Sequence, residues 1–121
     1  MVLVDTSVWV QHLRSSNAEL VSLLNNGEVM IHPFVIGELA CGNLKNRNGI
    51  LTLLQSLPSA SQADDDEILY FIEKNHLMGK GVGLIDIHLL SSSKLENIPL
   101  WTTDKRLGKV ADKLDLAYAL N

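Results

Sequence analysis

Short apolar runs alternate with longer segments of helical spacing from one end of this chain to the other, and no feature limits its fold more. Val2–Val4 is an apolar triplet that ends at Asp5, too short for a helix alone, and reads as a buried strand. Thr6 or Ser7 then offers a helix cap ahead of Val8–Leu13. Ala18–Asn25 suits a second short helix, closed by Asn26-Gly27, and Glu28–Ile31 (EVMI) reads as the next strand. Pro33 favours a first helical turn that Phe34–Cys41 continues and Gly42 stops. Ile50–Leu57 has helical spacing and ends before Pro58. Asp64, Asp65 and Asp66 suit the positive end of a helix over Glu67–Leu77. After the breaks at Gly79, Gly81 and Gly83 come a helix (Ile85–Leu95), a strand (Pro99–Thr102) and a helix (Lys105–Leu114). Leu116–Leu120 is a possible last strand. Such alternation predicts an α/β domain with a mainly parallel sheet of four or five strands and helices on both faces.

At 121 residues the chain fits one domain, residues 1–121, large enough to bury a core without staples. The single cysteine, Cys41, excludes an internal disulfide framework and a multi-cysteine zinc site, and a small buried apolar role is expected for it. A reducing cytoplasm is the natural compartment. The opening MVLVDTSVWV has no basic n-region and meets Asp5 early, so neither a signal peptide nor a membrane span is expected.

Four acids stand where acids are costly. Asp5 is framed by VLV and TSVWV, Glu38 by FVIG and LACG, Asp86 by VGLI and IHLL, and Asp104 follows PLWTT. A carboxylate in an apolar segment needs a partner or a metal. Asp5 and Asp104 come at or just past the carboxyl ends of expected strands. Glu38 lies on the helix after the second strand, and Asp86 starts a helix after a glycine-rich turn. In an open parallel sheet, ligands bind beyond the carboxyl ends of the strands, so all four can meet at one edge. Oxygen-only ligands select hard cations such as Mg²⁺ or Mn²⁺. A divalent ion there relieves carboxylate repulsion, lowers the pKa of bound water and polarises a phosphate, as phosphodiester hydrolysis requires. Taken singly, each acid has a plainer explanation, such as a helix cap for Asp5 or a lysine pairing for Glu38.

The net charge of −4 argues mildly against broad nucleic-acid binding. With the four acids set aside, the remaining Asp and Glu balance the 10 Lys and Arg. Lys105, Arg106, Lys109 and Lys113 gather just after Asp104, where the first three are candidates to contact nucleic-acid phosphates or simply a solvated helix face.

The segments VLVDTSVWV, PFVIGELACG, GVGLIDIHLLSSSKL and PLWTTDKRLGKVA, in this order, resemble the PIN-domain family and, within it, the VapC-type toxins of toxin–antitoxin pairs. The resemblance implies a single PIN-like domain and an endoribonuclease whose acidic quartet is Asp5, Glu38, Asp86 and Asp104, holding one or two Mg²⁺ or Mn²⁺ ions. It places the family's hydroxyl residue on Ser7, with Thr6 beside it, and a threonine on Thr102, as groups that orient carboxylates or water. It further implies an RNA substrate, a homodimer and a cognate VapB-type antitoxin.

Other patterns are weaker. GKGVG at 79–83 lacks the spacing of a phosphate loop, and the Asp64–Asp66 run lacks that of a calcium loop. His12, His32, His76 and His88 show no metal spacing, and Trp9 and Trp101 sit in apolar segments that suit a core. A phosphoacceptor signalling domain would pair acids after the first strand, where Asp5 stands alone. A non-catalytic RNA- or partner-binding module of the same fold, or a nuclease acting on DNA, is the remaining alternative.

Overall fold

Val2–Val4 (β1) forms the middle of a parallel sheet, between Val29–Met30 (β2) and Leu100–Trp101 (β3), in a computed structural model that describes residues 1–120. Val2 and Leu3 stand opposite Val29 and Met30, while Leu3 and Val4 stand opposite Leu100 and Trp101. Val2, Leu3 and Val4 are all buried. Successive residues of a strand face opposite sides, so the sheet is covered on both faces, which is why β1 reads as an unbroken apolar run.

Among the described residues seven helices follow the expected order: α1 (Thr6–Arg14), α2 (Ala18–Asn25), α3 (Pro33–Ala40), α4 (Arg47–Ser56), α5 (Asp65–Lys74), α6 (Leu84–Glu96) and α7 (Lys105–Lys113). Their ends are set locally. Asn17 caps α2 by accepting from Leu20 N at 3.0 Å. At α5, Asp64 accepts from Glu67 N at 2.8 Å and Glu67 returns the bond to Asp64 N at 3.0 Å, a reciprocal cap that explains this acidic run. Every residue of α6 from Ile87 to Ser93 is buried, three serines included. Ser92 donates to Ser61 O at 2.6 Å and Ser93 to Ile98 O, so polar side chains tie the central helix to its neighbours.

The sheet has three strands among the described residues, not four or five. The segment expected as a last strand, Leu116–Leu120, makes one bridge, Leu100 to Ala117, through Leu100 N to Leu116 O (2.7 Å) and Tyr118 N to Leu100 O (3.0 Å). Ala119 and Leu120 are exposed, so no buried face rewards further pairing. A second isolated bridge joins Ile31 to Ser59. Cys41 also departs from expectation: it follows the last turn of α3 and is exposed rather than buried. Trp9 and Trp101 are in the core as their contexts predict.

His32 is fully buried and caps α3, its Nδ1 accepting from Phe34 N at 3.0 Å. That bond places the proton on Nε2, for which no partner stands among the described residues. Burial, and then the neighbouring His88, push its pKa down to about 4. An unfolded histidine takes up its proton near pH 6.5. Between these values the unfolded chain holds more protons, so stability falls as pH drops from about 6.5 and levels off below about 4, with a total loss on the order of 3 kcal/mol. His32→Asn keeps a good cap without the titration. Urea unfolding at pH 7 and pH 4.5 should show a smaller acid loss in the variant; an equal loss in both proteins removes His32 from the acid limb.

Candidate functional site: a carboxylate cluster at the sheet edge

Parallel pairing of β1 with β3 brings the first and last parts of the site together. Val4 stands opposite Trp101, and Asp5 N donates to Trp101 O at 2.9 Å, so the next residues, Asp5 and Thr102, leave the sheet side by side. Asp5 is 5% exposed. Its Oδ2 accepts from Ser7 Oγ (2.7 Å), Thr102 Oγ1 (2.7 Å) and Ser7 N (3.4 Å). Asp5, not Thr6 or Ser7, is therefore the cap of α1, because a carboxylate one step before the helix reaches the free amide of its first turn.

The two hydroxyls are fully committed. Each has one proton, which goes to Asp5, and each accepts a backbone bond in return: Thr103 N to Ser7 Oγ at 3.0 Å, and Asp104 N to Thr102 Oγ1 at 3.0 Å. This lattice fixes the Asp5 carboxylate and the turn that carries Asp104. All of the bonds to Asp5 end on Oδ2, and its Oδ1 receives none of them. Asp104 caps α7 by accepting from Leu107 N at 3.0 Å on its Oδ1.

Glu38 and Asp86 approach from helices. Glu38 is exposed on α3 and accepts from Thr6 Oγ1 at 2.6 Å. Thr6 thus serves Glu38, while Ser7 and Thr102 serve Asp5. Thr6 and Glu38 also line a cleft of about 510 Å³ whose walls include Val10, Ile50, Arg14 and Lys45. Asp86 lies in the first turn of α6, where its Oδ2 accepts from Gly83 N at 3.3 Å. Burial holds its pKa above the usual carboxylate value; the Gly83 bond opposes this, and the charges of Asp5, Asp104 and Glu38 add to it. All three other acids act on Asp86, so the chain gathers the quartet into one field. They have not closed on a point: among the described residues no three His, Cys, Asp or Glu side chains converge at ion-gripping distance.

The residues present fit a hard divalent cation by their chemistry. The donors are all oxygen, one oxygen of the buried Asp5 is left out of the hydroxyl lattice, and the mutual repulsion felt at Asp86 is what a cation relieves.

Of the basic residues singled out from the sequence, Arg106 and Lys109 line one groove with Lys113 and Lys80, whereas Lys105 is not part of its wall. Lys80 escaped the sequence reading because 25 residues separate it from the run after Asp104. His88 packs on Phe34, ring centroids 4.7 Å apart, and plays no part in the cluster.

The sequence profile of the PIN domain matches residues 2–113. The chain is 43% identical to Ribonuclease VapC32 of Mycobacterium tuberculosis over 120 residues, covering 98% of this chain and 97% of that protein. Its fold resembles FitAcB from Neisseria gonorrhoeae, with a TM-score of 0.64 at 20% identity over 93% of this chain and 94% of the other. It also resembles FitAB bound to an IR36 DNA fragment, with a TM-score of 0.60 at 18% identity over 93% and 91% of the two chains. The chain belongs to the PIN-domain family.

Proposed function

We propose that this protein is a Mg²⁺- or Mn²⁺-dependent endoribonuclease, the toxin of a VapBC-type pair, which hydrolyses RNA phosphodiesters at the cluster of Asp5, Glu38, Asp86 and Asp104. The observation that carries the reading is Asp5 itself: a buried carboxylate, held through one oxygen by Ser7 and Thr102, whose charge acts on Asp86 together with those of Asp104 and Glu38. Its 43% identity to a protein named as a ribonuclease, along nearly the full length of both, supports the reaction class.

Asp5, Asp86 and Asp104 would hold the metal, and Glu38 would hold a second ion or orient the attacking water. One or two divalent ions bound there supply a water of lowered pKa and charge stabilisation at the phosphate. The chain's own residues do the positioning. Ser7 and Thr102 lock the Asp5 carboxylate so that it does not reorganise during the reaction, and Thr6 does the same for Glu38. A cognate VapB-type antitoxin and a homodimeric assembly belong to the same reading, as does action in the cytoplasm. No helix among the described residues is long and apolar enough to cross a membrane.

Purified protein incubated with total cellular RNA in Mg²⁺, in Mn²⁺ and in chelator tests the proposal, beside single-stranded DNA. Discrete RNA fragments are expected with either ion and none in chelator. Fragments that persist in chelator overturn the metal mechanism, and preferred cutting of the DNA overturns the substrate.

A further inference from the structure

The turn leading into α6 and the helix α7 face each other across a second groove, of about 280 Å³. Its charged walls are Lys80 from the turn and Arg106, Lys109 and Lys113 from α7, Leu77 and Val110 line it as well, and no acid among the described residues does. The spacing 106, 109, 113 puts three cations on one face of α7, spread over about 10 Å of helix axis. Among the described residues none of the four pairs with a carboxylate by a hydrogen bond. Four cations gathered in one groove repel one another, and the arrangement is stabilised by an anion.

Its position says which anion. Arg106 follows Asp104 by two residues on the helix that Asp104 caps, and Lys80 precedes Asp86 by six in the turn whose Gly83 bonds Asp86. Two of the acids of the cluster, Asp86 and Asp104, are thus carried by segments that continue into the walls of the groove. Gly81, at φ +78°, lets the turn lie close to the Arg106 side chain: a Cβ there would come within 2.8 Å of Arg106 Cδ. The contact seats the guanidinium against the turn.

We infer that this groove binds the sugar–phosphate backbone of the RNA strand next to the cleaved bond, through Lys80, Arg106, Lys109 and Lys113. The inference rests on the ribonuclease reading for the strand's path but not for the binding itself. Backbone binding of this kind is sequence-independent and releases counterions, so the logarithm of affinity falls with the logarithm of salt at about −0.7 per phosphate contacted for a single strand.

The test is fluorescence anisotropy of a labelled oligouridylate of about 20 nucleotides between 50 and 200 mM salt, in chelator so that nothing is cut. The variant Arg106→Gln/Lys109→Gln/Lys113→Gln is compared with Arg47→Gln/Lys74→Gln/Lys94→Gln, which changes the net charge equally away from the groove. The groove variant should bind about tenfold or more weakly at 50 mM salt, with a slope shallower by about 2, the value for three lost contacts. Circular dichroism of both variants confirms that they fold. Equal slopes in the two variants overturn the groove, whatever the cleavage assay gives. A groove-dependent slope in a protein that cuts no RNA keeps the groove and removes the nuclease.

Discussion

Asp5→Asn is expected to lower metal-dependent RNA cleavage by about 10³-fold or more, about 4 kcal/mol in barrier, while the chain still folds. Asparagine has almost the same shape and is an equally good helix cap, so α1 keeps its start. Its side-chain oxygen can go on accepting from Ser7 and Thr102, which leaves an NH₂ where the free carboxylate oxygen stood. An NH₂ group neither ligates a hard cation nor carries charge. Removing a buried negative charge also eases the repulsion felt by Asp86, so in chelator the variant should be at least as stable as the parent. Cleavage assays with Mg²⁺ and urea unfolding in chelator check both halves. Full activity in the variant would sink the catalytic assignment; lost activity with lost folding would show that Asp5 is structural.

Leu3→Ala should cost about 2–5 kcal/mol of folding stability. Leu3 is fully buried in β1 and is the residue that stands opposite both Met30 and Leu100, so it sits at the middle of the sheet and within the core. The truncation leaves a cavity that a strand pinned on both sides cannot collapse. A domain of this size has roughly 5–15 kcal/mol in all, so the loss is a large share of it. Leu69→Ala on α5, where the leucine is 66% exposed, should change stability by no more than about 0.5 kcal/mol. Urea unfolding of the two variants side by side checks the contrast; a similar loss in both would mean that β1 is not the centre of the core.

Most of the elements were legible because their signals are local. Ala18–Asn25 is a helix at the very residues its pattern marks, and of the acids before Glu67, Asp64 caps α5 while Asp65 and Asp66 sit in its first turn, at the positive end their position suggests. Positions that depend on what lies across space were read less well. Leu116–Leu120 has strand-like composition, but whether it pairs depends on a buried face that only the fold supplies. Cys41 looks like a core residue beside Ala40, yet it comes where α3 has already ended and points its surface to solvent. Thr6 and Ser7 are adjacent and look interchangeable; neighbouring helical residues point about 100° apart, and so one reaches Glu38 and the other Asp5.

By itself the sequence determined that strands and helices alternate, and that four acids sit in apolar segments near the carboxyl ends of expected strands or at the helices that follow. Those properties reside in hydrophobic period and local context, which act over a few residues. Tertiary structure alone decided which hydroxyl serves which acid, that Lys80 joins a cationic face at least 26 residues away, and that the sheet has three strands among the described residues. Each of these is a contact between segments far apart in the chain, and its energy depends on the distance and shared burial that folding creates.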